Sequence, residues 1–520
     1  MQALHNAPSA RVVRALGGVA VMSVVVHVLL RLWLLSEGRY FATEDDGYRA
    51  YYGYLSAEGT ASVIGRFWLP GQFFVLGALG RLGLDAANAP QVLGLICFVI
   101  TLASVHSLAR DLAPEGWGDA AARGAILLTA LSPLVLVLCH SALAEPLANA
   151  LVAFGGMALV RRHHGGARRL VASGALAMLF ATWVRYEAWV YAGVFVVAAA
   201  WVAYRREGAR VAVQDAAMAS MALIGPLGWL LAQYVVHGDA LAFLDTIDDM
   251  SVALTGDASQ LRVAALRFEA LALWAGGAVI ASITALVMAR RQGAMVRSLA
   301  YVAAVALPGL ALQLLSGQGL GVFVIDGREF EFFAPRLVSN IEIGLVPLGG
   351  LGVAMLANRT ELSARIALAG MTLLVSALLV LGVTHPMTFV DPSSVRAGLM
   401  LRHGELDSEV AGGALIVERV EPRPPMGWAS LSVLWSHWDR TVFLTRRGEV
   451  CELVEPSDVL NGRARIPCIQ LRAWAERRGV TAAWVLSDPA HALLEEVWPD
   501  AAQRRIGEGH LLVAPPSERR

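Results

Sequence analysis

The sequence predicts a polytopic α-helical membrane protein that crosses the bilayer about eleven times and ends in a small extracytoplasmic α/β domain. Composition is the first reason: 56% of residues are hydrophobic and only 16% are charged, with a mean hydropathy of +0.56. A soluble globular chain carries about 25% charged residues. The second reason is the distribution, since long apolar runs fill residues 15–384 while 387–520 has ordinary composition. The third is the alternation of arginine between successive loops, which gives the spans a direction.

A spanning helix needs roughly 20 mostly apolar residues. The runs that meet this are 15–36, 88–109, 121–139, 143–160, 169–184, 187–204, 215–236, 268–289, 298–315, 337–357 and 366–384. The first run ends in Ser36-Glu37-Gly38-Arg39, not in a small-residue cleavage site, and reads as a retained anchor. Segment 68–84 is apolar but opens with Trp68-Leu-Pro-Gly71 and carries Arg81 near its end. It reads as a helix in the membrane interface, not as a span. The transmembrane domain is therefore 1–384, with 37–87 as a first outer loop of juxtamembrane helices.

All basic residues are arginine. With 68–84 non-spanning, the loops on the N-terminal side hold Arg11 and Arg14, Arg110 and Arg123, Arg161, Arg162, Arg168 and Arg169, Arg205, Arg206 and Arg210, Arg290, Arg291 and Arg297, and Arg359 and Arg365. The alternate loop 237–263 holds Asp239, Asp245, Asp248, Asp249 and Asp257 against Arg262 alone. The positive-inside rule then puts the N-terminus in the cytoplasm and the C-terminal domain outside. Net charge is zero and no basic face suggests nucleic acid.

Residues 385–411, with Pro386, Pro392, Ser393 and Ser394, read as a linker. Strand-like runs follow at 414–417, 442–444, 482–486 and 511–513, alternating with helix-like runs at 469–478 and 489–496. This is an α/β domain over 412–520. Cys451 and Cys468 lie within it and are read either as a disulfide or as two buried thiols.

Three charged clusters fall on the outer side. Glu44-Asp45-Asp46 follows the first span; adjacent carboxylates serve as a base or as metal ligands, or simply form a solvated acidic loop. Glu145, in Ser141-Ala-Leu-Ala-Glu-Pro146, sits in a very short loop at the membrane boundary, as a functional acid or as a helix cap. Arg185-Tyr186-Glu187 ends the fifth span: a guanidinium suits phosphate, or it pairs with Glu187. Arg336, after Pro335, invites the same two readings, and Asn340 and Glu342 lie deeper in the same helix. His237 and Asp239 are weaker signals, and His163-His164 lies among cytoplasmic arginines. No Walker, CxxC or HExxH pattern is present.

The order of these features resembles the GT-C glycosyltransferases, particularly the branch of protein O-mannosyltransferases and lipid A aminoarabinose transferases. The stretches that carry the resemblance are Glu44-Asp45-Asp46, Trp68-Leu-Pro-Gly71, Leu131-Ser-Pro133, Ala144-Glu-Pro-Leu147, Arg185-Tyr186 and Pro335-Arg336. It covers roughly residues 15–384. The acid pair is Asp-Asp where that branch has Asp-Glu, and Glu145 stands where it often has Asp, so the acceptor is not assigned by likeness.

The resemblance implies an inverting transfer of a sugar from a polyprenyl-phosphate donor to a glycan, lipid or protein hydroxyl, at the outer face of a bacterial plasma membrane. Asp45 would be the general base, and Asp46 and Glu145 would position the acceptor or tune Asp45, either directly or through a divalent metal as in some relatives. Arg185, Tyr186 and Arg336 would hold the donor phosphate. The competing reading is a transporter or flippase, which would place ionisable groups near mid-membrane in discontinuous helices. A non-catalytic assembly or sensor protein would leave the three clusters without a common cavity.

Overall fold

A computed structural model describes residues 7–36, 49–50, 53, 56, 68–84, 88–244, 265, 275–287, 322–325, 328–331, 334–359, 414–418, 441–447, 449–454, 463–485, 487–506 and 509–514. The chain divides into two compact units, Met1–Arg31 with Tyr52–Thr384, and Leu32–Tyr51 with His385–Arg520.

The first unit is a helical bundle. Helix α1 (Ala10–Ser36) has a buried seam of Leu16, Ala20, Ser23, His27 and Arg31, while Val21, Met22, Val25 and Leu29 are exposed. The buried face is thus the more polar one. That inverts the pattern of a soluble helix and is what lipid selects, because hydrocarbon accepts the apolar face and the polar groups must find partners inside. Helix α2 (Gly71–Arg81) has 11 residues, a length of about 16 Å. It is too short to cross a hydrocarbon layer about 30 Å thick.

Helices α3 (Asn88–Leu112), α4 (Gly118–Ala130), α5 (Pro133–Cys139), α6 (Glu145–His163), α7 (Arg169–Thr182) and α8 (Glu187–Glu207) follow. Next come α9 (Ala209–Ala219), a 3₁₀ turn at Ser220–Leu223 and α10 (Ile224–His237). Helix α11 (Ala275–Val287), a two-stranded antiparallel pair β1 (Val322–Ile325) and β2 (Arg328–Glu331), and α12 (Ala334–Arg359) complete the described part. Among the described residues five helices are long and apolar enough to cross a membrane, or six if the bent pair α4–α5 is one span.

Each expected span that falls on described residues is helical over most of its length. The spans 298–315 and 366–384 lie outside them, so the count of eleven extends beyond the described residues. The span expected at 121–139 is two helices bent by 63°. Ser132 makes the break: it is extended, its Oγ accepts from Val135 N at 3.1 Å, and Pro133 starts the new helix without needing a backbone donor.

Small residues let the helices approach. A Cβ on Gly124 of α4 would lie 2.4 Å from the Gly350 carbonyl of α12, so only a bare backbone fits there. At the arginine-rich end, the fully buried Asp215 of α9 accepts from Arg162 Nε at 3.1 Å and Arg168 Nε at 2.8 Å. Arg162 Nη1 also meets Glu207 at 2.6 Å, so this end of α6, α8 and α9 is tied together by charge. The arginines that orient the chain therefore also clamp its helices.

In the second unit a seven-stranded mixed sheet has the order β6-β5-β4-β3-β7-β9-β8. Its strands are β3 (Ala414–Glu418), β4 (Thr441–Arg447), β5 (Val450–Val454), β6 (Arg463–Pro467), β7 (Val480–Val485), β8 (Ala502–Ile506) and β9 (Gly509–Val513). β3 runs parallel to β4 and β7, and the outer pairs are antiparallel. Helices α13 (Leu471–Arg477) and α14 (Asp488–Val497) pack Leu471, Trp474, Leu494 and Val497 into its core. Cys451 and Cys468 form a disulfide within that core. Strands β5, β6 and β8 went unread in the sequence. β6 (Arg463-Ala-Arg-Ile-Pro467) and β8 (Ala502-Gln-Arg-Arg-Ile506) are edge strands, whose arginines hide the usual strand composition and guard the open edge.

Candidate active site

Glu145 is the first residue of α6 and Arg162 lies in its last turn, about 26 Å away along the axis. Glu145 therefore marks the membrane boundary opposite the arginine cluster. Three short connections meet at that boundary: 140–144 between α5 and α6, 183–186 between α7 and α8, and 68–70 before α2.

Arg185 Nη1 donates to Glu145 Oε1 at 2.6 Å, its Nε donates to Glu187 Oε2 at 3.0 Å, and its Nη2 donates to Glu187 Oε1. One guanidinium thus bridges two carboxylates. Glu145 is almost fully buried, with its side chain 2% exposed against 16% for Arg185 and 17% for Glu187. Such charges persist out of water only when paired and hydrogen-bonded. Of the two roles open to Glu145, its carboxylate serves the guanidinium, while its place in the first helical turn also suits the helix dipole. The pairing of Arg185 with Glu187 that the sequence offered as one reading is present, and Glu145 is a second partner that it did not nominate.

Tyr186 stacks on Phe243 with centroids 5.0 Å apart and meets Trp189 edge-on at 5.2 Å. Burial raises its phenol pKa, so the hydroxyl stays protonated at physiological pH. Asp45 and Asp46 lie outside the described residues. Arg336 is in the first turn of α12, and its side chain lies outside the described part. Glu342 is buried and accepts a hydrogen bond from Ser132 at the α4–α5 break. Asp239 Oδ1 accepts from Leu241 N at 2.9 Å, a local turn contact.

Beneath the charged cluster runs a cavity of about 440 Å³ between α6, α8 and α12. Asn149, Tyr191 and Asn340 line it near one end, and Asp111, His163 and Trp201 near the other. Asn149 and His163 are about 21 Å apart along α6, so the cavity is long and follows the helix axes. Asn149 and Tyr191 stand one turn below Glu145 and Glu187 on their respective helices. The remainder of the lining is predominantly apolar.

Sequence reasoning missed the residues that build this end of the bundle. Arg31 Nη2 donates to the Gln91 carbonyl at 2.9 Å, and Gln91 Nε2 donates to the His140 carbonyl at 2.7 Å. Gln72 Nε2 donates to the carbonyls of Ala142 at 2.6 Å and Leu143 at 2.9 Å. His27 Nδ1 meets the Ala130 carbonyl at 3.0 Å. These contacts supply donors to backbone carbonyls at membrane depth, where no bulk water can satisfy them. The signal was present: Arg31 and His27 are ionisable groups inside an apolar run.

Among the described residues no group of three or more histidine, cysteine or acidic side chains is placed to hold a metal. The expected metal pair was Asp46 with Glu145; the described member gives Oε1 to Arg185.

The bent-span helical bundle and the small mixed-sheet domain that follows it share their fold with a solved membrane-protein structure. Of solved structures, the chain is similar to ArnT from Cupriavidus metallidurans in the apo state (TM-score 0.59, 13% identity, 95% of this chain and 98% of that one). It is also similar to the same protein bound to undecaprenyl phosphate (TM-score 0.61, 13% identity, the same coverage). The Archaeoglobus fulgidus oligosaccharyltransferase in the apo form aligns more loosely (TM-score 0.46, 10% identity, 92% of this chain and 71% of that one). No protein-family model matches the sequence, and no curated protein matches it.

Proposed function

We propose that this protein is a membrane glycosyltransferase that moves a sugar from a polyprenyl-phosphate donor to an acceptor hydroxyl at the outer face, inverting the anomeric centre. The observation that carries the reading is the long apolar cavity ending one helical turn below the Glu145–Arg185–Glu187 cluster. In this reading a segment of the isoprenoid chain would lie along the cavity, and its phosphate would emerge at the charged end. The fold shared with ArnT, whose structure holds undecaprenyl phosphate, supports the same reading. The buried disulfide suits an oxidising compartment for the C-terminal unit.

In the proposed step Asp45 takes the acceptor O–H proton, the acceptor oxygen forms its bond to the anomeric carbon, and the bond from that carbon to the phosphate oxygen breaks. The phosphate leaves with the electron pair as a stable anion, so it requires cationic contacts more than a general acid. Arg336 and Arg185 would supply them, with Tyr186 beside Arg185. Because Arg185 already bridges two carboxylates, its contribution to phosphate is shared, and Arg336 carries the larger part. Asp46 and Glu145 would orient the acceptor.

A transporter would use the bent α4–α5 pair and the buried Glu342 as its discontinuous helix and mid-membrane acid. One experiment separates the two. The purified chain in nanodiscs is titrated with undecaprenyl phosphate and then offered undecaprenyl-phosphate-linked hexoses and pentoses with envelope glycan and lipid acceptors. Saturable binding and sugar release with inversion are expected. Absence of both, or movement of intact lipid between leaflets without bond cleavage, would overturn the glycosyltransferase reading.

A further inference from the structure

Glu145 directly follows the 140–144 connection and Arg185 lies in the 183–186 connection, 40 residues apart in sequence. Each connection is bonded to the helix before it, as Arg185 N is to the Ala181 carbonyl at 3.0 Å and Ser141 N to the Leu138 carbonyl at 3.1 Å, but those bonds do not tie one connection to the other. Adjacent residues of α2 bond to one connection each. The Gly71 N–H donates to the Trp183 carbonyl at 2.8 Å, joining a donor at the start of α2 to an acceptor at the end of α7, the kind of group that a helix end leaves without an intrahelical partner. The next residue, Gln72, is 1% exposed and gives its amide to the Ala142 and Leu143 carbonyls, just ahead of Glu145. The contact with Trp183 demands glycine, since a Cβ on Gly71 would lie 2.7 Å from that carbonyl oxygen. Leu76 of α2 then packs with Leu93, Ala144, Leu147 and Val184, which flank the same two connections.

We infer that the first turn of α2 is a splint holding the Glu145 and Arg185 connections in register, and that Gln72 is its positioning residue. Gln72 acts through the backbone that carries Glu145. A single rigid turn bonded to both connections makes the two move together. The catalytic consequence rests on the functional reading above, whereas the mechanical coupling does not.

Hydrogen exchange read by mass spectrometry tests the coupling on the full chain in nanodiscs. Gln72→Leu keeps the volume and removes both donors. Faster exchange is expected at 141–145 and also at 183–187, on the far side of the splint. Gly71→Ala is expected to give the same joint loss starting from the other connection, and it replaces Gln72→Leu should that variant not accumulate. Loss confined to the directly bonded connection, or no loss, would overturn the splint. For the catalytic arm the probes are undecaprenyl phosphate and the undecaprenyl-phosphate-linked sugars above. Gln72→Leu is expected to lower kcat by roughly 10- to 100-fold, as a small misplacement of reacting groups does, with undecaprenyl phosphate affinity changed less than about threefold. In a Glu145→Gln background Gln72→Leu should then add nothing, whereas independent, multiplying effects would refute positioning. If the unaltered chain turns over no donor, the functional reading fails while the exchange result still decides the splint.

Discussion

Arg185 shows how much one side chain settles at this site. Its guanidinium, from the α7–α8 connection, reaches both Glu145 at the start of α6 and Glu187 at the start of α8. Deleting the cation is therefore expected to be worse than deleting either anion, because it leaves two acids facing each other out of water. Arg185→Met should destabilise the protein by about 3–5 kcal/mol, the range for breaking a buried pair. Glu187→Gln, at the more open end, should cost less. Thermal unfolding of the detergent-solubilised variants gives the order, and equal losses would show that the cluster is solvated. At the proposed base, Asp45→Asn should reduce transfer by roughly 10²–10⁴-fold with undecaprenyl phosphate still bound. Asp46→Asn should be milder; the reverse order would exchange the two roles, and wild-type rates in both would reduce the acid pair to a loop.

At the scale of elements, the short helix α2 and the broken span α4–α5 shape the outer end of the bundle. Ser132 caps α5 and donates to Glu342, so one hydroxyl serves the bend and the acid behind it. Ser132→Ala is expected to cost about 1–2 kcal/mol, the upper range for a cap, while Ser132→Thr should cost much less. Because α2 does not span, the parity of all later helices follows, and topology reporters can read it. Fusions after residues 165 and 294 are expected to behave as cytoplasmic, and fusions after 250 and 400 as exported. An exported signal at 165 would place Glu145 and Arg185 on the cytoplasmic face.

For the molecule as a whole, two units with different solvents are joined in one chain. The bundle exposes Val21, Leu29, Val197 and Leu231 as hydrocarbon would have it, whereas the sheet domain buries Leu444, Leu453, Trp474, Trp484 and Trp498. Residues 405–520 expressed alone are expected to give a soluble domain with no titratable thiol before reduction. Reduction should lower its stability by about 3 kcal/mol, the scale for closing a loop of this length. Two free thiols in unreduced material would remove the disulfide, and insoluble material would argue that the sheet needs the rest of the chain.

Hydropathy is sufficient to place most of the described helices, while the break at Ser132-Pro133 falls inside what it reads as one span over 121–139. These are local or one-dimensional signals: a span is a run of apolar residues, and a helix boundary is a cap. What only the tertiary structure decided is which polar groups satisfy which backbone. Gln72 on the Ala142 and Leu143 carbonyls, Gln91 on that of His140, and Arg185 shared between Glu145 and Glu187 join segments up to 71 residues apart. The physical reason is the solvent. In hydrocarbon every non-helical carbonyl must be met by some donor from within the protein, but nothing local in the sequence says which one. The edge strands β6 and β8 escaped for a related reason, because their arginines follow from lying at the border of a sheet, a position that exists only once the other strands have assembled.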